Sequence, residues 1–467
     1  MADVKPRRGI GRTLGVYIGL VVVPVVVAIV LLGSGDDGDN VAKAKAAAGP
    51  SLVQLLLAIT VIVGACKIVG WLGQRVGQPA VMGEIVAGIV LGPSVLGALW
   101  PQGAAVLLPK AAIPQLNVVA QLGVIFFVFL AGLELNTRLL RGRGRLAVVV
   151  SHVSIAFPFL LGVGLAVFAY TRFAPAGVGF LAFALFFGVS LSITALPVLV
   201  RILHEIGLFR TEAGVVALTC AVVDDVTAWS LLALVVALTT ASSLFGVVLT
   251  VALTVAFVAF LGLVVRPLLR GLVTRVPVAR LQKAAPLSVV GVLLCALATE
   301  WIGVHAMFGA FVFGLVFPRD NVIATWLLDK VGGLTTALML PLFFAYSGLR
   351  TNITLISAEG WVWCAVILVA AVVGKLGGSA LSARAVGESW NRALQVGVLM
   401  NCRGLTELVV LNIGLDLGVL SPMLFTMLVI MALVSTAMAG PMATWFARRD
   451  GHNVVELPPR TSERAAA

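Results

Sequence analysis

Charge is what this sequence has least of. Asp, Glu, Lys and Arg together make up 11% of its 467 residues, where a soluble globular chain carries about 25%. That scarcity excludes an ordinary water-soluble domain. Histidine is also rare: the four (His152, His204, His305, His452) are scattered without ligand spacing, which argues against a zinc site. The five cysteines (Cys66, Cys220, Cys295, Cys364, Cys402) form no CxxC pair and no close spacing. They read as small packing residues within helices, and not as a disulfide framework or a metal cluster. There is no GxGxxG-type unit, no phosphate loop and no nucleophile–base pair, so an enzyme is not indicated and no cofactor is expected. Nor is there a heptad array or a soluble repeat. Short strands of alternating polarity are missing too, which excludes a membrane β-barrel.

What the chain has instead is apolar length. Hydrophobic residues make up 60% and the mean hydropathy is +1.11. Runs of about 18 or more apolar residues recur from end to end, each long enough to cross the hydrocarbon as a helix. The fold class is therefore an all-α polytopic membrane protein. Thirteen core spans fall at approximately 51–72, 79–97, 116–135, 146–169, 177–203, 212–238, 241–265, 285–300, 304–317, 336–350, 361–386, 389–416 and 420–446. Residues 1–50 add one N-terminal helix, 14–33, and an external linker. No small-residue cleavage site closes that run, so it reads as a retained helix and not as a signal peptide. A short polar tail follows, 447–467. With the N-terminus inside, 24 Lys and Arg fall in inner segments, 5 in outer ones, and Lys67, Lys375 and Arg403 lie within spans. This is the positive-inside bias, and one missed span would spoil it. The chain is thus expected to be a multi-pass protein of the inner (plasma) membrane with both termini cytoplasmic. Its net charge of +12 then needs no nucleic-acid partner; the surrounding partner is lipid.

Ionisable groups inside a membrane are functional hypotheses by default. Asp224 and Asp225 sit side by side near the middle of TCAVVDDVTAWSLLALVV, far from a helix end they might cap. Adjacent residues on a helix point about 100° apart, so one partner cannot neutralise both. A carboxylate removed from water prefers to be protonated or paired. It can hold a proton, or lose the proton and hold a hard cation through its oxygens. Lys375, in AAVVGKLGGSAL, is the expected partner of Asp224, leaving Asp225 for the ion. Arg403 and Glu407 stand one turn apart and are expected to neutralise one another while bracing the segment MNCRGLTE, which interrupts the span 389–416. The span 177–203 is interrupted in the same way by GVSLSITALP. There Pro197 removes a backbone donor, and the freed carbonyls together with Ser192 and Thr194 are candidate cation ligands. The two interrupted helices run in opposite directions, the sequence pointer to an inverted-repeat transporter. Lys67, Glu84 and Glu134 carry no assigned role. Gly83, Gly88 and Gly92 are expected to permit close helix packing.

Several stretches resemble the second monovalent cation:proton antiporter family, which includes bacterial sodium/proton and potassium/proton antiporters and the plant cation/proton exchangers. They are QPAVMGEIVAGIVLGPSVLG, LGVIFFVFLAGLELN, SITALPVLVRILHEIGL, VVDDVTAW, FGAFVFGLVFPR, PLFFAYSGLRTN and MNCRGLTELVVLNIGL, in family order across residues 51–446. The resemblance implies a sodium/proton-antiporter-like fold of thirteen core helices, two of them discontinuous and crossed. It implies a transport subdomain over approximately 146–238 and 361–446, a dimerisation subdomain over approximately 51–135 and 285–350, and hence a homodimer. It implies that Asp225 is the cation- and proton-binding carboxylate, with Asp224 bridged to Lys375 when no cation is bound. The double-aspartate form goes with electrogenic exchange. Only about twenty residues follow the last span, so the nucleotide-gated regulation of the potassium efflux systems and the long tail of the plant exchangers are not implied.

Two rival readings share the membrane. A gated potassium efflux pathway on the same fold would leave a paired Asp/Lys switch without a purpose. An organic-anion transporter would place basic or neutral residues where this sequence places two aspartates. No motif distinguishes sodium from potassium.

Overall fold

The computed structural model describes residues 52–134, 144–209, 211–240, 244–319 and 321–449, and every regular element among them is helical. The N-terminal helix expected at 14–33 lies outside the described residues. In chain order the principal helices are α1 (Leu52–Arg75), α2 (Ala80–Leu91), α3 (Ile113–Glu134), α4 (Gly144–Phe173), α5 (Phe180–Ser192), α6 (Leu196–Glu205), α7 (Glu212–Thr240), α8 (Leu244–Phe260), α9 (Leu287–Ile302), α10 (Ala306–Val316), α11 (Leu340–Leu349), α12 (Ala358–Ala385), α13 (Trp390–Met400), α14 (Leu405–Asp416) and α15 (Pro422–Arg449). Ten helical stretches are long and apolar enough to cross a membrane, and two pairs bent by 48° and 43° raise the number to twelve. The shorter apolar α10 occupies the remaining expected span. All thirteen expected core spans thus coincide with helices.

Two boundaries differ from expectation. Residues 266–275, expected in an inner loop, prolong α8 through a π-helical turn (Leu261–Val265) into Arg266–Arg275. The polar stretch before α11, including Lys330, is helical from Val322 onward, with π-helical turns at Leu327–Val331 and Thr335–Met339. Asn321 starts it, its Oδ1 accepting from the backbone N–H of Ile323 (2.8 Å) and Ala324 (3.0 Å). A capped helix needs no apolar run to continue.

The helices sort into two packed groups. In one, α4 lies against α5, α7 and α12, and α15 against α12 and α13. In the other, α1 packs on α2, α2 on α11, and α3 on α10. Small residues set the closest approaches. A Cβ added at Gly83 would lie 2.6 Å from Gly70 Cα, and one at Gly88 2.7 Å from Ala345 Cα. The glycines of α2 therefore serve packing, as helix contacts in lipid require. All five cysteines are buried. Large apolar side chains such as Phe245, Val248, Leu263 and Trp301 point outward, the arrangement of a surface solvated by lipid chains.

Candidate functional site

The site grows from two gaps in the helical ladder. α5 stops at Ser192 and α6 starts at Leu196; α13 stops at Met400 and α14 starts at Leu405. The gaps bond to each other. Ala195 N–H donates to Cys402 C=O at 2.9 Å, and Thr194 Oγ1 lies 3.0 Å from Met400 C=O. Irregular backbone away from water survives only where protein satisfies its polar groups, and here each broken helix serves the other.

The remaining helix ends meet charges of the right sign. At the C-terminal end of α5, Arg403 donates through Nη1 to Ser190 C=O (3.1 Å) and through Nη2 to Leu191 C=O (2.6 Å), and Lys375 Nζ donates to Ser192 C=O. At the N-terminal end of α6, the Leu196 N–H donates to the Asp225 carboxylate. Glu407 lies in the first turn of α14. Cations therefore sit at a helix C-terminus and carboxylates at two helix N-termini, each against the opposite end of a peptide dipole. Pro197 falls in the first turn of α6, where its missing N–H interrupts nothing. It begins a second half-helix and does not kink a continuous one.

Asp224 and Asp225 share one turn of α7 and have different surroundings. Asp224 is wholly buried. Its carboxylate accepts from Ser151 Oγ (2.6 Å), Ser154 Oγ (3.1 and 3.3 Å) and Thr194 Oγ1 (2.6 Å), and pairs with Lys375 Nζ at 3.0 Å. Asp225 is 3% exposed, and its Oδ1 has no hydrogen-bond partner among the described residues. One carboxylate is locked; the other keeps a free oxygen. Arg403 Nη1 stands 3.5 Å from Glu407 Oε2, an ion pair without a hydrogen bond at the carboxylate. Ionised, the five buried groups Asp224, Asp225, Glu407, Lys375 and Arg403 sum to one negative charge. One monovalent cation or one proton would neutralise the cluster, the condition under which burying it costs least.

The structure thus brings together Asp224, Asp225, Lys375, Thr194, Arg403 and Glu407. Ser192 is placed differently from a free hydroxyl ligand: its Oγ donates back to Gly188 C=O (2.6 Å), and its carbonyl is held by Lys375. Glu84 and Glu134 are apart from the crossing, on α2 and at the end of α3. Sequence reasoning missed Ser151 and Ser154 of α4. Their only signal was two hydroxyls three residues apart in an otherwise apolar run.

Comparison with known proteins places the chain in a family and a fold. The sequence model of the transmembrane sodium/hydrogen exchanger family matches residues 57–449. The Na(+)/H(+) antiporter NhaS4 of Synechocystis is 41% identical over 396 residues, covering 84% of this chain and 97% of its own. Cation/H(+) antiporter 17 of Arabidopsis thaliana is 40% identical, and the K(+)/H(+) antiporter 1 of Saccharomyces cerevisiae 34%, each over 84% of this chain. The chain spans about half the length of those two relatives, 48% and 46%. Among solved structures, the sodium proton antiporter MjNhaP1 of Methanocaldococcus jannaschii superposes with a TM-score of 0.64 at 12% identity, covering 86% of this chain and 99% of that one, which establishes the shared fold.

Removing one partner of a buried ion pair strands the other. Lys375→Gln is expected to destabilise the protein by about 3–5 kcal/mol, read as a lower thermal midpoint in detergent. A variant that melts with the parent would mean that Asp224 does not depend on Lys375.

Proposed function

We propose that this chain, which belongs to the sodium/hydrogen exchanger family, exchanges a monovalent cation, sodium or potassium, for protons by alternating access, with Asp225 as the shared carrier. The observation that carries this reading is the asymmetry of the aspartates: Asp224 is paired with Lys375 and accepts from three hydroxyls, while Asp225 Oδ1 is unpartnered. A buried carboxylate with a free oxygen and no private counter-charge must take up something positive. Proton and cation then compete for one position. Transport follows if that position is presented to each side in turn, and a net charge of minus one in the empty cluster disfavours moving it unloaded.

The contacts between the two helix groups support a state closed on the outer side. We read the group of α4–α7 and α12–α15 as the transport subdomain, and α1–α3 with α9–α11 as the scaffold through which a homodimer would form. At the end carrying Arg172 and Arg350, bonds cross between the groups. Arg350 Nη1 pairs with Asp416 Oδ1 (2.7 Å) and donates to Asn412 Oδ1 (3.1 Å), Asn412 Nδ2 donates to Ser347 Oγ (2.8 Å), and Asn352 N–H donates to Thr426 Oγ1 (3.1 Å). Toward the other, more basic end, a small apolar cavity lies between Val81, Met82 and Ile85 of α2 and Val198, Arg403 and Gly404 at the crossing, and one bond spans the groups, Gln78 Nε2 donating to Ala437 C=O at 3.4 Å. By the positive-inside bias that end is cytoplasmic. The outer bonds support an outer-closed state in the plasma membrane. A gated potassium efflux pathway would require no competition at Asp225.

Asp225→Asn keeps shape and removes the ionisable group. It is expected to abolish cation-driven proton flux in proteoliposomes for both sodium and potassium salts; substantial flux from the purified, folded variant would remove Asp225 from the role. The outer bonds make a separate expectation. Replacing Arg350 and Asn412 together by alanine should favour the outward-open state. The readout is several-fold faster modification, by an impermeant maleimide from outside, of a single cysteine placed at the buried Thr351, whose hydroxyl bonds only within its own segment. An unchanged rate would mean these bonds do not hold the outer side shut.

A further inference from the structure

The crossing holds a neutral side-chain oxygen that the protein leaves unsatisfied. Asn401 closes α13. It is 3% exposed, and its Oδ1 has no hydrogen-bond donor among the described residues. The backbone on both sides of it is anchored: Met400 C=O faces Thr194 Oγ1, Cys402 C=O accepts from Ala195 N–H, and Arg403 N–H donates to Thr436 Oγ1 at 2.9 Å. The next donor along the facing segment, the Leu196 N–H at the start of α6, bonds Asp225. Asn401 thus lies in the gap that bonds Thr194 and Ala195, and Asp225 lies against the next residue, Leu196, the amide and the carboxyl each keeping an idle oxygen. Native proteins leave few buried acceptors without donors, and those that remain call for a specific explanation such as an ion. Glu407 also lacks donors, but the Arg403 guanidinium stands beside it and offsets its charge. Nothing among the described residues offsets Asn401 Oδ1.

We propose that Asn401 Oδ1 is a ligand of the transported cation, acting with Asp225 and setting the affinity for, and choice between, alkali ions. The inference rests on the reading of Asp225 given above. Amide carbonyls are good neutral ligands for hard cations. Unlike a carboxylate, an amide oxygen takes up no proton in the working pH range. It therefore strengthens only the cation-loaded state, and its loss weakens cation binding without altering the proton competition. The two oxygens divide the labour: Asp225 couples cation to proton, and Asn401 discriminates among cations.

The test uses the full chain, purified and reconstituted, with Asn401→Ala and Asn401→Ser. Half-saturating sodium and potassium are measured at two pH values, and the thermal midpoint with and without each chloride salt. Binding to the folded state alone raises the midpoint. The expected result for Asn401→Ala is a half-saturating concentration raised about tenfold, equivalent to about 1.4 kcal/mol, with the same pH dependence as the parent and a smaller salt-induced rise in midpoint. Asn401→Ser, with a shorter oxygen, is expected to change the sodium-to-potassium ratio. Parental half-saturation and parental salt-induced shifts in both variants would overturn the proposal. So would a lower cation-free midpoint with an unchanged salt-induced shift, since Asn401 would then be a packing residue. Asp225→Asn run alongside separates the two readings. If it is inactive while the Asn401 variants behave as the parent, only the role of Asn401 falls; if it transports, the assignment of the carrier falls first.

Discussion

The structure depends on one constraint: four helix ends meet inside the membrane, and none of their polar groups has water to turn to. A helix end leaves several N–H or C=O groups without partners. The crossing solves this with three kinds of bond. The two gaps pair backbone to backbone at Ala195 and Cys402. Arg403 and Lys375 hold the last carbonyls of α5. Asp225 accepts from the first residue of α6. Once two cations are committed to the carbonyls, carboxylates must follow to offset them, and they outnumber the cations by one. The unbalanced charge at the centre is thus a consequence of how the broken helices are held, and it is the charge on which the proposed exchange rests.

Much of this was legible before any coordinates. The spans were visible because apolar length is a direct consequence of the solvent, and the basic-residue bias fixed their number. Both breaks were visible as polar segments at mid-depth, and the pairing of Lys375 with one aspartate followed from charge alone. The less legible parts have a common physical cause: they do not disturb hydropathy. The helix from Val322 into α11 and the extension of α8 to Arg275 continue a helical backbone beyond the apolar run. Ser151 and Ser154 are small enough to sit in an apolar stretch unnoticed, yet they donate to Asp224. Ser192 matters through its carbonyl, which sequence cannot distinguish from any other. Asn401, placed among Met400, Cys402 and Arg403, looked like part of a polar break until its oxygen proved to be without a donor.

The two aspartates show how position divides identical chemistry. Both are buried, both lie on α7, and they are adjacent. Asp224 faces α4 and α12, where hydroxyls and Lys375 surround it; Asp225 faces the start of α6, where a single backbone N–H reaches it. The first is paired and hydrogen-bonded throughout. The second keeps an oxygen without a partner, and in the proposed reading it is the group whose occupancy changes. Competition at that one carboxylate is the centre of the account, and it has a direct signature in the dependence of cation affinity on pH. The measurement is half-saturating sodium and potassium in proteoliposomes across about three pH units, with the internal composition held constant. Where Asp225 is protonated before the cation arrives, one proton must leave for each cation bound, so apparent affinity should fall about tenfold per pH unit, ~1.4 kcal/mol each, and level off once the carboxylate is ionised. A half-saturation value that stays flat across the whole range, with transport still active, would show that proton and cation do not share Asp225.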